Sequence, residues 1–156
     1  MLYPGGTMIT YCTATSSDLP EVRALLAAAG LSQAGLEEHI LNFMLALEGH
    51  KVVGCAGLEV HQGSGLLRSL AVAEEYRGMG IGAKLTEGML DLARYKNLTS
   101  LSLLTETAAD FFIRFGFAVV PRAELPAALQ ASQELQGACP DTAIAMTLPL
   151  TPPSEA

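Results

Sequence analysis

Residues 66–92 read LLRSLAVAEEYRGMGIGAKLTEGMLDL. Leu66–Val72 is an apolar run suited to a strand. Arg77-Gly78-Met79-Gly80-Ile81-Gly82 is a glycine-rich turn, and apolar side chains then recur at helical spacing. Ile81, Leu85, Met89 and Leu92 share one helix face, and Lys84, Glu87, Asp91 and Arg94 share the other. Glycines at alternate positions leave the backbone bare where the helix begins. A helix start carries N–H groups without intrahelical acceptors and a partial positive charge, so it suits an anionic phosphate. The turn is expected to cradle a pyrophosphate.

Around this stretch the chain reads as alternating strands and helices. Ile9–Thr13 is rich in strand formers. Asp18 and Glu21 fit a capping box for a helix with Pro20 in its first turn and Val22, Leu25, Leu26 and Ala29 on its apolar face, ended by Gly30. A shorter helix is expected over 33–41. Phe43–Glu48 and Lys51–Val60, joined at Gly49-His50, read as a β-hairpin. Leu101–Leu104 (LSLL) suits a strand covered on both faces. A helix is expected over 105–115, closed by Gly116, then a helical patch over 125–135 and a last strand over 143–148. The sum is an α/β domain with a mixed sheet, expected over residues 9–149, with tails at 1–8 and 150–156.

Bulk properties narrow the function classes. The 156 residues suit one domain, and at 50% hydrophobic and 16% charged they can fill a core. A net charge of −7 and a pI near 4.8 argue against sequence-independent nucleic-acid binding, which needs a basic face. No apolar stretch approaches a membrane span, and MLYPGGT lacks the features of a signal peptide. Cys12, Cys55 and Cys139 are far apart and odd in number, which fits neither a disulfide framework nor a metal knuckle. A reducing, cytoplasmic setting and no metal are the expectation, with Cys55 a buried thiol.

The glycine turn after Leu70-Ala71-Val72 and the later segment Ala108-Ala109-Asp110-Phe111-Phe112-Ile113-Arg114-Phe115-Gly116-Phe117 together resemble the Gcn5-related N-acetyltransferases, the GNAT family. LLRSLAV, LLTETAADFF and ELPAAL are more narrowly similar to arsenic-resistance N-acetyltransferases and to the acetyltransferase domain of N-acetylglutamate-synthase-type enzymes. The resemblance implies a single GNAT fold with a mixed, mostly antiparallel sheet, acetyl-CoA as donor, and transfer to a primary amine. It implies that the backbone of Arg77, Gly78, Met79, Gly80, Ile81 and Gly82 holds the pyrophosphate, and that Leu70, Ala71 and Val72 pair with the pantetheine arm. The N–H near Val72 or Leu70 then faces the oxygen on which charge develops. The family leaves a homodimer open.

Two positions depart from the family pattern. Many members carry a tyrosine, as acid for the leaving thiolate, where this chain has Phe112, and an asparagine where it has Thr105. Either the thiolate leaves unassisted or through water, or the domain binds acyl-CoA without turnover. The first is favoured, because acid catalysis contributes only about 10²–10⁴-fold. A protein acetyltransferase is a third reading.

On the acceptor side, Glu59 is the candidate base, with His61 as a fallback. Arg68 interrupts an apolar strand, which is costly unless the charge is paired. Its fork suits a substrate carboxylate, with a structural pair to Glu59 or another acid as the alternative. Ser69 and Thr105 are further substrate-side candidates, Thr105 alternatively being a helix cap. Tyr76 is read as a packing residue, and Asp110 with Arg114 as a surface ion pair. A small amine bearing a carboxylate, attacked directly in a ternary complex, is the expected acceptor.

Overall fold

The computed structural model describes residues 8–138 and 141–150. Of the expected tails only Met8, exposed, and Leu150, buried, fall among them, and Cys139 lies outside. The chain divides into two compact units. Among the described residues, one runs to Leu58 and resumes over Ser69–Met89, and the other holds Glu59–Arg68 and the residues from Leu90 on. Seven strands are hydrogen-bonded in the order β1-β2-β3-β4-β5-β7-β6. The β4–β5 pair is parallel, and the β1–β2, β2–β3, β5–β7 and β6–β7 pairs are antiparallel. The expected mixed, mostly antiparallel sheet is present.

In the first unit, β1 (Ile9–Thr13) pairs with β2 (Phe43–Glu48), which forms a hairpin with β3 (Lys51–His61). Helix α1 (Leu19–Ala29) buries Val22 and Leu26 completely and packs on Phe43, Leu45 and Cys55. Its capping lies one turn earlier than the sequence suggests. The Asp18 carboxylate accepts from the Thr15 N–H at 2.8 Å instead of pairing with Glu21. Gly30 ends α1 at φ 71°, donating to Ala27 O, while Leu31 N reaches back to Leu26 O. The expected helix over 33–41 is only α2 (Leu36–His39) followed by a 3₁₀ turn, because Gly35 at φ 72° delays its start. Helix α3 (Ile81–Tyr95) follows β4 (Ser64–Val72) with its inner and outer faces as expected, except that Ala93 lies deeper than Leu92.

In the second unit, β5 (Ser100–Thr105) pairs with β7 (Ile144–Pro149), and buried Ser102 meets the Thr147 hydroxyl at 3.0 Å. The helix expected over 105–115 shrinks to α4 (Ala109–Ile113). Thr105 ends β5, and its Oγ1 accepts the Ala108 N–H at 3.0 Å, so 105–108 is a turn. Arg114 lies over the Phe111 ring and not on Asp110. A strand absent from the sequence reading, β6 (Ala118–Val120), pairs with β7. The expected helical patch is two irregular turns, 127–131 and 134–138, set off by Pro126 and by Gly137 at φ 113°. Leu125 and Leu129 bury against Leu66 and Ala145. Among the described residues no helix is long and apolar enough to cross a membrane.

Candidate functional site

The candidate residues fall in two constellations, one in each unit. In the first, β4 ends at Val72 and a 3₁₀ turn (Glu74–Tyr76) leads to the glycines. Gly78 and Gly80 adopt φ 79° and 85°, which side-chain-bearing residues rarely do, and a Cβ at either would meet nothing within 4 Å. The first helical bond of α3 runs from Lys84 N to Gly80 O at 3.1 Å. The N–H groups of the turn before it therefore precede the intrahelical ladder. Helix α3 also sits close to β3. A Cβ on Gly54 would lie 3.2 Å from both Ile81 and Leu85 and 3.3 Å from Ala71 O.

Side chains brace this turn. Arg77 is exposed, yet its Nε donates to Val72 O at 3.0 Å, closing the loop between strand and glycines. Tyr76 is buried, as expected of a packing residue, but its hydroxyl also donates to the Glu48 carboxylate at the end of β2. Lys51, opposite Glu48 in the hairpin, stands 5.7 Å from the Tyr76 ring centre. The acceptor role of Glu48, followed by burial, raises the Tyr76 pKa above its ordinary 10.0. No local pattern links residues 48 and 76, so sequence reasoning had no signal for this contact.

Just upstream, Ser69 sits at φ 61° within β4. A left-handed residue in a strand re-aims the residues after it. The parallel β4–β5 register covers only Ser64–Leu66 against Ser100–Ser102, so Leu70–Val72 lie beyond it. Cys55 is buried as expected, and its thiol donates to Ser69 O at 3.2 Å. The left-handed turn of Ser69 is thus held from β3.

The second unit holds a buried charge cluster. Arg68 Nη1 donates to Glu59 Oε2 at 2.8 Å, and both side chains are 1% exposed. His61 Nε2 lies 2.8 Å from the other oxygen of Glu59, with its side chain 11% exposed. Glu134 Oε1 approaches Arg68 Nη2 at 4.0 Å. The pair that the sequence set beside a substrate clamp is therefore formed. Glu134, on a kinked turn, was not foreseen. Thr105 spends its hydroxyl on the turn before α4, the capping role weighed for it. Phe112 is buried among rings, 5.1 Å from Phe111 and 5.8 Å from Phe117 between centroids.

The family profile described as "Acetyltransferase (GNAT) domain" matches residues 39–119, which include β2 to β5, the glycine turn and α3. The chain belongs to the GNAT acetyltransferase family. This GNAT chain is 30% identical over 122 residues to an amino-acid acetyltransferase of Neisseria meningitidis, covering 72% of this chain and 28% of that one. It is 34% identical over 82 residues to N-alpha-acetyltransferase 30 of Schizosaccharomyces pombe, covering 47% of this chain and 55% of that one. It thus spans little more than half of the yeast relative and under a third of the bacterial one. Among solved structures, N-acetylglutamate synthase of Neisseria gonorrhoeae, complexed with coenzyme A and N-acetyl-glutamate, superposes at TM-score 0.77 and 25% identity, covering 92% of this chain and 35% of that one. Rv2747 of Mycobacterium tuberculosis, in complex with CoA and NLQ, shares the fold at TM-score 0.76 and 24% identity, covering 91% and 99%.

Proposed function

We propose that this GNAT protein moves an acetyl group from acetyl-CoA to the primary amine of a small, carboxylate-bearing molecule, an amino acid or a compound like one. The observation that carries the donor half is the glycine turn: left-handed Gly78 and Gly80, unobstructed, run straight into the start of α3. Pyrophosphate would bind the N–H groups of Arg77–Gly82, and the pantetheine amides would pair with Leu70, Ala71 and Val72 beyond the left-handed Ser69. The N–H near Val72 or Leu70 would stabilise the carbonyl oxygen as charge develops there. The amine nitrogen forms its bond to the acetyl carbon while the carbon–sulfur bond breaks. Glu59 is the base proposed for the amine proton, with His61 as the fallback. Phe112 offers the thiolate no proton, so the thiolate leaves as such or is protonated by water.

The acceptor class rests on similarity to amino-acid acetyltransferases. Arg68, with its guanidinium buried against Glu59, is better placed to hold that carboxylate than to clamp a second one. Ser69 remains a substrate-side candidate. Similarity to an N-alpha-acetyltransferase favours a second reading, in which the amine is a protein N-terminus. One assay separates them. Acetyl-CoA is incubated with the protein and a panel of amino acids, simple amines and short peptides, and free thiol is followed. Thiol release with free amino acids and not with peptides is expected. Release with peptides alone favours the second reading.

A further inference from the structure

We infer that the Arg77 side chain is a positioning residue for the donor: it holds the Val72 carbonyl, so that Val72 meets acetyl-CoA through its N–H. This rests on the donor half of the acetylation reading above. All the residues concerned lie in the first unit. The peptide joining Val72 and Ala73 is trans, so its C=O and N–H point in opposite directions. Ala73 N donates to Val53 O on β3 at 2.8 Å. The Val72 carbonyl therefore points away from β3, and Arg77 Nε donates to it there at 3.0 Å. This one peptide plane is thus held on both sides, by β3 and by the residue that begins the glycine turn.

The next two carbonyls are held in the same way. Ala73 O accepts from Tyr76 N at 2.9 Å, and Glu74 O from Arg77 N at 3.3 Å. Arg77 is itself extended, at φ −71° and ψ 153°, and left-handed Gly78 follows it. Its side chain folds back along the turn that its backbone has just left. In an extended residue the N–H and C=O point the same way. The Val72 N–H therefore faces the edge on which Arg77 sits. With the carbonyl engaged, the N–H is the group that Val72 offers to an oxygen of the donor. Loss of the Arg77 bond leaves the peptide held from β3 alone and loosens the exit of β4 from the glycines. Arg77 is also the only lysine or arginine between Arg68 and Lys84. A countercharge for the pyrophosphate is thus the competing role. The two differ in what the side chain must supply: holding Val72 O needs an N–H at the right reach, and a countercharge needs a cation.

Two variants of the full chain separate these roles. Glutamine places its amide nitrogen as many bonds from Cα as Arg77 Nε lies, and it carries no charge. Methionine fills the same length without an N–H. Calorimetric titration with CoA and steady-state kinetics with acetyl-CoA are the readouts. Arg77→Met should weaken CoA and raise the KM for acetyl-CoA by roughly three- to tenfold, with little change in kcat or in the KM for the acceptor. Arg77→Gln should regain most of that loss. Equal loss in the two variants overturns the inference and points to the charge instead. Carbon-13 NMR of the backbone reports the contact without turnover. The Val72 carbonyl resonance should shift in Arg77→Met and stay near its wild-type position in Arg77→Gln. An unmoved resonance in Arg77→Met, or wild-type CoA affinity in that variant, also overturns the inference. If the wild type binds CoA but releases no thiol with any amine, the acetylation reading fails, and the CoA affinities still decide the role of Arg77.

Discussion

Arg68 and Glu59 meet at 2.8 Å with both side chains 99% removed from solvent. Removing one partner of such a pair leaves the other as an uncompensated buried charge. Arg68→Ala is therefore expected to cost about 3–5 kcal/mol of stability, whereas replacing both together, Glu59→Leu with Arg68→Met, should return most of it. Urea unfolding curves of the three proteins measure this. If Arg68→Ala is as stable as the wild type, the pair is not closed in solution.

The same pair decides what Arg68 does in turnover. If it holds Glu59, milder changes such as Arg68→Lys should lower kcat for carboxylated and uncarboxylated amines alike. A rise in KM confined to carboxylated acceptors would restore Arg68 as a substrate clamp.

Tyr76 and Glu48 tie the turn that precedes the glycines to the β2–β3 hairpin. Tyr76→Phe should raise the KM for acetyl-CoA and leave that for the acceptor unchanged, and it should lower Tm. The Tm gap also has a pH signature. The folded pKa of Tyr76 is raised above 10.0, chiefly by its hydrogen bond to Glu48. A raised folded value means the contribution is complete below the unfolded pKa and is lost as pH climbs through the folded one. The wild-type advantage over Tyr76→Phe should thus hold from neutral pH to about 10 and close above it. A gap that stays undiminished at alkaline pH would contradict the assignment.

Ser69 at φ 61° and the Cys55 thiol on its carbonyl aim the strand toward Leu70–Val72. A β-branched residue tolerates that φ poorly, so Ser69→Val should cost about 1–3 kcal/mol and raise the KM for acetyl-CoA. Ser69→Gly should be tolerated. Thermal melts and donor kinetics on both variants check this, and an unchanged Ser69→Val would show that the left-handed turn is dispensable.

Phe112 packs with Phe111 and Phe117, at the place where the resemblance to the family implies a tyrosine. Phe112→Ala should lose about 3–5 kcal/mol. Phe112→Tyr should leave kcat unchanged. A marked gain in kcat would mean that a proton donor at this place reaches the leaving thiolate.

What the sequence reveals depends on how local each feature is. The strand, glycine turn and helix over 66–92 are consecutive, so their reading matches the structure. Arg68 stands out as a charge in an apolar strand, and its partner Glu59 lies on the preceding strand, within reach of a hairpin argument. Glu134 reaches the same guanidinium from a kinked turn with no periodicity, so nothing in the sequence places it. The helix expected over 105–115 was too long because Thr105 offers its hydroxyl to the Ala108 N–H, a competition that apolar spacing does not reveal. β6 is three residues long and exists because β7 pairs with it. Tyr76 was legible as a buried residue but not as a hydrogen-bond donor, since Glu48 is 28 positions away.

The central claim is that the glycine turn holds the pyrophosphate of acetyl-CoA through its backbone. Calorimetric titration of CoA into the wild type and into Gly80→Ala tests it most directly, with pantetheine, which lacks the pyrophosphate, as the control ligand. Alanine at φ 85° strains the turn by about 1–2 kcal/mol, enough to weaken CoA by roughly tenfold. One CoA per wild-type chain, much weaker binding to Gly80→Ala, and pantetheine binding that is weak and equal in both are expected. Equal CoA affinity in the two proteins, or pantetheine binding as tight as CoA, would contradict it.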